Sequence, residues 1–208
     1  IVHEMCNNMF SRGPDALGVK RISNITLGFR RLSILDLSDK ANQPMHSNDK
    51  RFTIVFNGEI YNHLEIRNEL SKYDICFKTR SDTETIVNGF QIWGKELIPK
   101  LRGMWAFAIW DDKRKSLFLS RDRFGQKPIF YNLTSNVFTF ASSLIGLKPA
   151  ISNPNISNEA IVSLLSNEYI PNNQCIYQGV KKLAPAHNLI YENGKISIYK
   201  YWDIDYKN

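Results

Sequence analysis

A chain of 208 residues, 43% hydrophobic and 12% aromatic, can bury a core for one sizeable domain or two small ones, which excludes intrinsic disorder. Three cysteines, Cys6, Cys76 and Cys175, are odd in number and far apart, which argues against a disulfide framework or a thiolate metal cage and for a reducing compartment. The net charge of +7 has no basic stripe behind it, because outside Lys113–Lys115 and Lys181–Lys182 basic and acidic residues alternate, so a solvated basic surface is expected rather than a nucleic-acid site.

The chain begins on Ile1 rather than methionine, which reads as a truncated start, and His3 and Glu4 leave no basic-then-apolar leader. Val2, Met5 and Met9 mark an apolar helix stripe, and Cys6 beside it poses a question, since Met-Cys near an amino terminus is how some enzymes carry a nucleophile. Strand-like runs follow, ITLGFRRLSILDL and then RFTIVF, the second expected to break at Asn57-Gly58. Two capped helices are expected next. In IYNHLEIRNEL, Asn62 and Glu65 form a capping-box variant; in SDTETIVNGFQIWG, Ser81 and Glu84 make the box, Ile86, Val87 and Phe90 the apolar stripe, and Gly94 the stop.

Beyond Gly103 the pattern changes to short strands, MWAFAIW, SLFLS, PIFYNL and VFTFAS, separated by DDKRK, RDRFGQK and TSN, which reads as an antiparallel meander. The longest apolar run, Met104–Trp110, is far too short to cross a membrane and reads as a buried strand. After the polar SNPNIS, Ser157 caps a short amphipathic helix in NEAIVSLLSNEY, and HNLIYENGKISIYKYW is a hairpin about Asn193-Gly194. Helices early and antiparallel strands late indicate an α+β domain of stacked sheets flanked by helices.

Four polar clusters stand out. SRGPD is a Gly-Pro turn between Arg12 and Asp15. Arg30 and Arg31 sit next to each other in an apolar strand and so point to opposite faces; one of them meets an anion inside, or the pair forms an ordinary rim salt bridge. In FNGEIYN, Asn57-Gly58 is either a hairpin turn or, with a helix following and Glu59 adjacent, a side-chain amide and a backbone N–H placed for a developing oxyanion. In RSDTE, Asp82 either favours the positive end of a helix or faces a substrate ammonium. An arginine for a carboxylate, an acid for an ammonium and an amide pair for a carbonyl together describe a receptor for an amino acid with a side-chain carbonyl.

The blocks SRGPD, LGFRRLSILDLS with ANQPM, VFNGEIYNHLEIRNEL, TRSDTE, LRGMWAFAIWD and LFLSRDRFGQKPIFY resemble, in order and spacing, the amino-terminal glutaminase domain of asparagine synthetases, a class II glutamine amidotransferase family. The resemblance implies an αββα sandwich of two mainly antiparallel sheets, of the amino-terminal-nucleophile hydrolase type. It implies that Arg31 binds the glutamine carboxylate with Leu32, Ile34 and Leu35 lining the pocket, that Asn57 and Gly58 form the oxyanion hole, and that Glu59 and Asp82 hold the amide end and the α-ammonium region. In that family a cysteine at the very first position, with its own α-amine as base, forms a thioester, releases ammonia and is freed by water. Cys6 does not fit, because with Met5 before it its nitrogen is an amide, and the Arg12 turn follows too soon for a strand. Residues 1–208 are therefore expected to lack the first strand and the nucleophile, and to be inactive as a fragment.

Two positions depart from the family pattern: Ser11 and Phe29 stand where it has histidines, and altered support of the pocket is expected there. The RDRFGQKP segment reads as a structural charged turn. His3, His46, His63 and His187 share no spacing that would hold a metal. About residues 186–208 resemble the lead into a synthetase domain, so ATP and magnesium are expected there and no cofactor here. The whole is expected to be a cytoplasmic enzyme that takes glutamine and amidates aspartate, with no membrane or nucleic-acid partner and a homodimer left open. The alternatives are a non-catalytic glutamine-binding or interaction module, or the glutaminase half of a synthetase with a different acceptor.

Overall fold

Alternate residues of the central strands feed different cores, and this builds four layers, α/β/β/α. The structure is a computed structural model that describes residues 1–205 apart from 135, 136, 153, 172 and 173. Helix α1 (Val2–Asn7) leads into the antiparallel pair β1 (Ala16–Ile22) and β2 (Ile25–Arg31). There follow β3 (Met45–His46), β4 (Phe52–Ile60), α2 (His63–Leu70), α3 (Asp82–Trp93), β5 (Gly103–Asp111), β6 (Ser116–Arg121), β7 (Phe130–Leu133), β8 (Phe138–Ala141), α4 (Leu144–Leu147), α5 (Asn158–Asn167), β9 (Val180–Lys182), β10 (His187–Glu192) and β11 (Lys195–Lys200). One sheet has six strands in the order β11-β10-β6-β5-β4-β3, another three in the order β8-β7-β9, and β1-β2 is a ribbon beside them.

Phe52, Ile54 and Phe56 of β4 and Trp105, Phe107 and Ile109 of β5 pack under α2 and α3 against Ile66, Leu70, Ile86 and Phe90. The intervening Val55, Ala106, Ala108 and Trp110 face the other way, onto Leu27, Ile129 and Tyr131 of the second layer of strands. With both faces covered, the strand has no polar alternation, which is why MWAFAIW is apolar throughout. Met5 of α1 and Leu147 of α4 close the far side of the second layer against Ala141 and Val180.

The structure departs from the sequence expectations at several points. Strand β2 stops at Arg31, so SILDL is irregular chain, and β1 had no counterpart among the expected strands. Asn57-Gly58 does not break its strand: β4 runs on to Ile60, and a Cβ on Gly58 would lie 2.1 Å from the Met104 carbonyl oxygen, so the close approach of β5 demands glycine there. The meander divides, β5 and β6 in the six-stranded sheet and β7 and β8 in the three-stranded one, because the RDRFGQKP turn carries the chain across and β10 takes the free edge of β6.

Capping differs as well. Asn62 does not cap α2; its Nδ2 donates to Lys100 O at 3.0 Å and its Oδ1 accepts from Arg102 N at 2.9 Å. Ser81 caps α3 through Thr83 N, but Glu84 does not complete the box, since its carboxylate accepts from Lys78 N, Thr79 N and Thr79 Oγ1. Gly94 ends α3 with φ 56°, Ser157 caps α5 through Ala160 N, and Asn193 and Gly194 turn β10 into β11 with positive φ at both residues, as expected. The expected TSN turn and the SNPNIS stretch fall partly outside the described residues, at 135, 136 and 153. Arg121 in the charged turn is buried and donates to the carbonyls of Lys127, Gly125 and Leu183, so that segment is an internal brace.

Candidate functional site

The site forms at the edge of β4 away from β5. Trp105, opposite Gly58, directs its N–H and carbonyl to Asp122, so the Gly58 backbone faces the other way, as do those of Phe56 and Ile60 two residues to either side. Gln43 Oε1 accepts from Phe56 N at 2.6 Å, and Asp82 Oδ2 accepts from Ile60 N at 2.9 Å. Between these two occupied donors, the Gly58 N–H has no side chain on it among the described residues. The neighbouring Asn57 holds its Nδ2 shut off from solvent with no hydrogen-bond partner.

Both residues line a cavity of about 1060 Å³. Arg31 ends β2 on its wall and is 8% exposed. Its Nη1 donates to Ser38 O at 2.9 Å and Asn42 Oδ1 at 2.7 Å, and its Nη2 donates to Asp36 O. Three of the five guanidinium N–H groups are thus committed, and Nε–H and one on Nη2 remain. The expected inner anion for the arginine pair is therefore absent among the described residues: Arg31 holds carbonyls, and Arg30, on the opposite face, donates to Cys6 O and Asn7 Oδ1.

Asp82 opens α3 on the facing wall, 5% exposed. Burial raises its carboxyl above the ordinary range, with Glu59 adding to the rise and the Ile60 and Thr83 amides opposing it. Behind it, Arg67 of α2 donates to Thr79 O and Ser81 O and so fixes the approach to α3. All eight residues expected at the site, Arg31, Leu32, Ile34, Leu35, Asn57, Gly58, Glu59 and Asp82, line this one cavity. Leu32, Ile34 and Leu35 lie in an exposed loop and do not form a buried wall.

Cys6 also borders the cavity, yet its thiol is buried against Gly28 and pushed up by that burial. It belongs to the packed face of α1 rather than beside it, and Met9 lies past the end of the helix. Cys175 is buried in the core near α4 and Cys76 is exposed. Phe29 packs in the core between the strand layers and Ser11 is exposed at the cavity rim. Among the described residues no group of three or more potential metal ligands gathers, and no helix is long and apolar enough to cross a membrane.

The sequence reading missed the residues that hold the site: Asp36, Ser38 and Asn42 around Arg31, and Gln43, whose Nε2 also reaches Phe56 O and Thr83 Oγ1, both at 3.2 Å. Their signal was the polar SDKANQ stretch that follows LSILDL and their place within the blocks LGFRRLSILDLS and ANQPM.

The family described as glutamine amidotransferase domain matches residues 1–202. Asparagine synthetase [glutamine-hydrolyzing] 1 of Bacillus subtilis (strain 168) is 35% identical over 208 residues, covering 100% of this chain and 33% of that protein. Putative asparagine synthetase [glutamine-hydrolyzing] 2 of Methanocaldococcus jannaschii is 37% identical over 231 residues, covering 99% of this chain and 44% of that protein. The chain thus spans between a third and a half of the length of these curated relatives. Among solved structures, the glutamine phosphoribosylpyrophosphate amidotransferase from B. subtilis superimposes with a TM-score of 0.62 over 85% of this chain and 35% of that chain, at 16% identity, which is a likeness of fold.

Proposed function

Because this chain belongs to the glutamine amidotransferase domain family, we propose that it is the glutaminase part of an asparagine-synthetase-like enzyme, binding glutamine at the β4 edge so that its ammonia amidates aspartate in the full protein. The observation that carries this reading is the Asn57 amide. A buried donor without a partner costs about 1–3 kcal/mol, and here it is kept beside the free Gly58 N–H, so that one oxygen entering the cavity satisfies both.

The glutamine side-chain carbonyl is that oxygen. The two remaining N–H groups of Arg31 take the α-carboxylate, Asp82 and Glu59 take the ammonium and the amide end, and Leu32, Ile34 and Leu35 border the ligand. In the reaction this implies, a thiolate adds to the carbonyl carbon, the oxyanion rests on Asn57 Nδ2 and Gly58 N–H, the C–N bond breaks as ammonia leaves with its added proton, and water hydrolyses the thioester to glutamate. No described cysteine fits as that thiol. The site itself needs no cofactor for this chemistry; ATP and Mg²⁺ are assigned to a synthetase part, and the cytoplasm is the compartment proposed.

A second reading is a module that binds glutamine without hydrolysing it. Titration calorimetry of the full chain with L-glutamine tests the shared premise: binding is expected, weakened about tenfold or more by Arg31→Ala. No heat of binding would remove both readings, and unchanged affinity in Arg31→Ala would remove the carboxylate assignment. Glutamate and asparagine formed by the full-length enzyme from glutamine, ATP and aspartate would separate the two readings.

A further inference from the structure

The loop after β2 carries Leu32, Ile34, Leu35 and Leu37, which are 58%, 72%, 44% and 78% exposed. Apolar side chains so exposed cannot anchor a loop, so its place over the cavity depends on polar contacts. Near its start, Asp15 Oδ2 accepts from Ser33 N at 2.7 Å, which ties it back to the Gly-Pro turn before β1. At its middle stands Asp36, whose two carboxylate oxygens do different things. Oδ1 accepts from Ser38 N at 2.8 Å and Ser38 Oγ at 2.7 Å and so closes a local turn. Oδ2 accepts from Arg80 N at 2.8 Å, across 44 residues of sequence, on the segment that enters α3.

Arg80 lies two residues before Asp82, while the carbonyls of Asp36 and Ser38 orient Arg31. We infer that Asp36 is a positioning residue that latches the Arg31 wall of the cavity to the Asp82 wall. The inference rests on the glutamine-binding reading, because a ligand that engages both walls at once is what makes their spacing matter. A carboxylate suits the task, since it can accept from both segments together and is held charged by those donors, its pKa lowered to about 2. An amide in its place keeps the shape but turns one acceptor into a donor, which would face the Arg80 N–H or the Ser38 N–H.

A double-mutant cycle read by calorimetry with L-glutamine tests this on wild type, Asp36→Asn, Arg31→Ala and the double variant. Asp36→Asn is expected to lower affinity about five- to tenfold, the scale of one charge-assisted hydrogen bond, with the melting temperature falling by no more than about 4 °C. In the Arg31→Ala background the same change is expected to cost no more than about twofold, because Asp36 acts through Arg31. Wild-type affinity in Asp36→Asn, or an equal loss in both backgrounds, would overturn the latch while leaving glutamine binding intact. A wild-type chain that binds no glutamine would overturn the underlying reading instead, and the latch with it. Amide exchange of the unaltered chain is an arm that depends on neither variant nor ligand: the Arg80 amide, on an exposed residue, is expected to exchange well below the free rate, and free exchange there would show that no latch exists.

Discussion

Helix α3 and the loop after β2 face each other across the cavity and are held in different ways. Nine successive residues of α3, Asp82–Phe90, are buried, so Asp82 is placed by a packed core and by the Ile60 amide. The loop buries almost nothing at 32–40, and its carbonyls, held by hydrogen bonds, orient the Arg31 guanidinium at the end of β2. A site built this way has one wall that resists change and one that can be altered with little effect on the fold. Stability and ligand affinity should therefore respond to different substitutions.

The largest effect on stability belongs to the packed wall. Ile86→Ala removes a side chain with no solvent exposure from under the six-stranded sheet and is expected to cost about 2–5 kcal/mol, read as a lower midpoint in urea unfolding. A loss below about 1 kcal/mol would mean that α3 is not the rigid side.

Next comes pH, which should act on the two properties in opposite directions. The Asp82 carboxyl is raised above its ordinary 3.8, so the folded chain takes up this proton more readily than the unfolded one. Its burial therefore subtracts from stability near neutrality, and that penalty is relieved as pH falls through the raised pKa towards 3.8. Glutamine affinity should weaken over the same window, because only the charged carboxylate pairs with an ammonium. Calorimetry from neutral pH downward reads this, and Asp82→Asn should flatten the profile; an unchanged slope in that variant would assign the pH dependence elsewhere.

The smallest effect is expected on the loop. Leu37→Ser, at a side chain 78% exposed, should move unfolding free energy by no more than about 0.5 kcal/mol. A clear destabilisation would show that the loop is packed after all.

How much of this was legible in the sequence depends on the range of the forces involved. The cap of α5 at Ser157, the stop of α3 at Gly94 and the Asn193-Gly194 turn are settled within a few residues, and each stands where the local pattern placed it. The roles of Asn62 and Glu84 were misread for the same reason. Their side chains fit a local cap on paper, but Asn62 met Lys100 and Arg102, 38 and 40 residues away and brought near only by folding, and Glu84 turned to the 78–79 segment just before its own helix.

The sequence by itself determined the α+β class and the apolar centre of β5, and its family resemblance named eight residues that border one cavity. The tertiary structure alone decided that Asn57-Gly58 continues a strand rather than ending it, that β5 and β6 part from β7 and β8, and that Gln43, Asp36 and Asn42 hold the site. These are choices of register and of contact between segments far apart in the chain. Which edge of β4 a given N–H faces depends on the residue opposite it in β5, and no window of neighbouring residues contains that information.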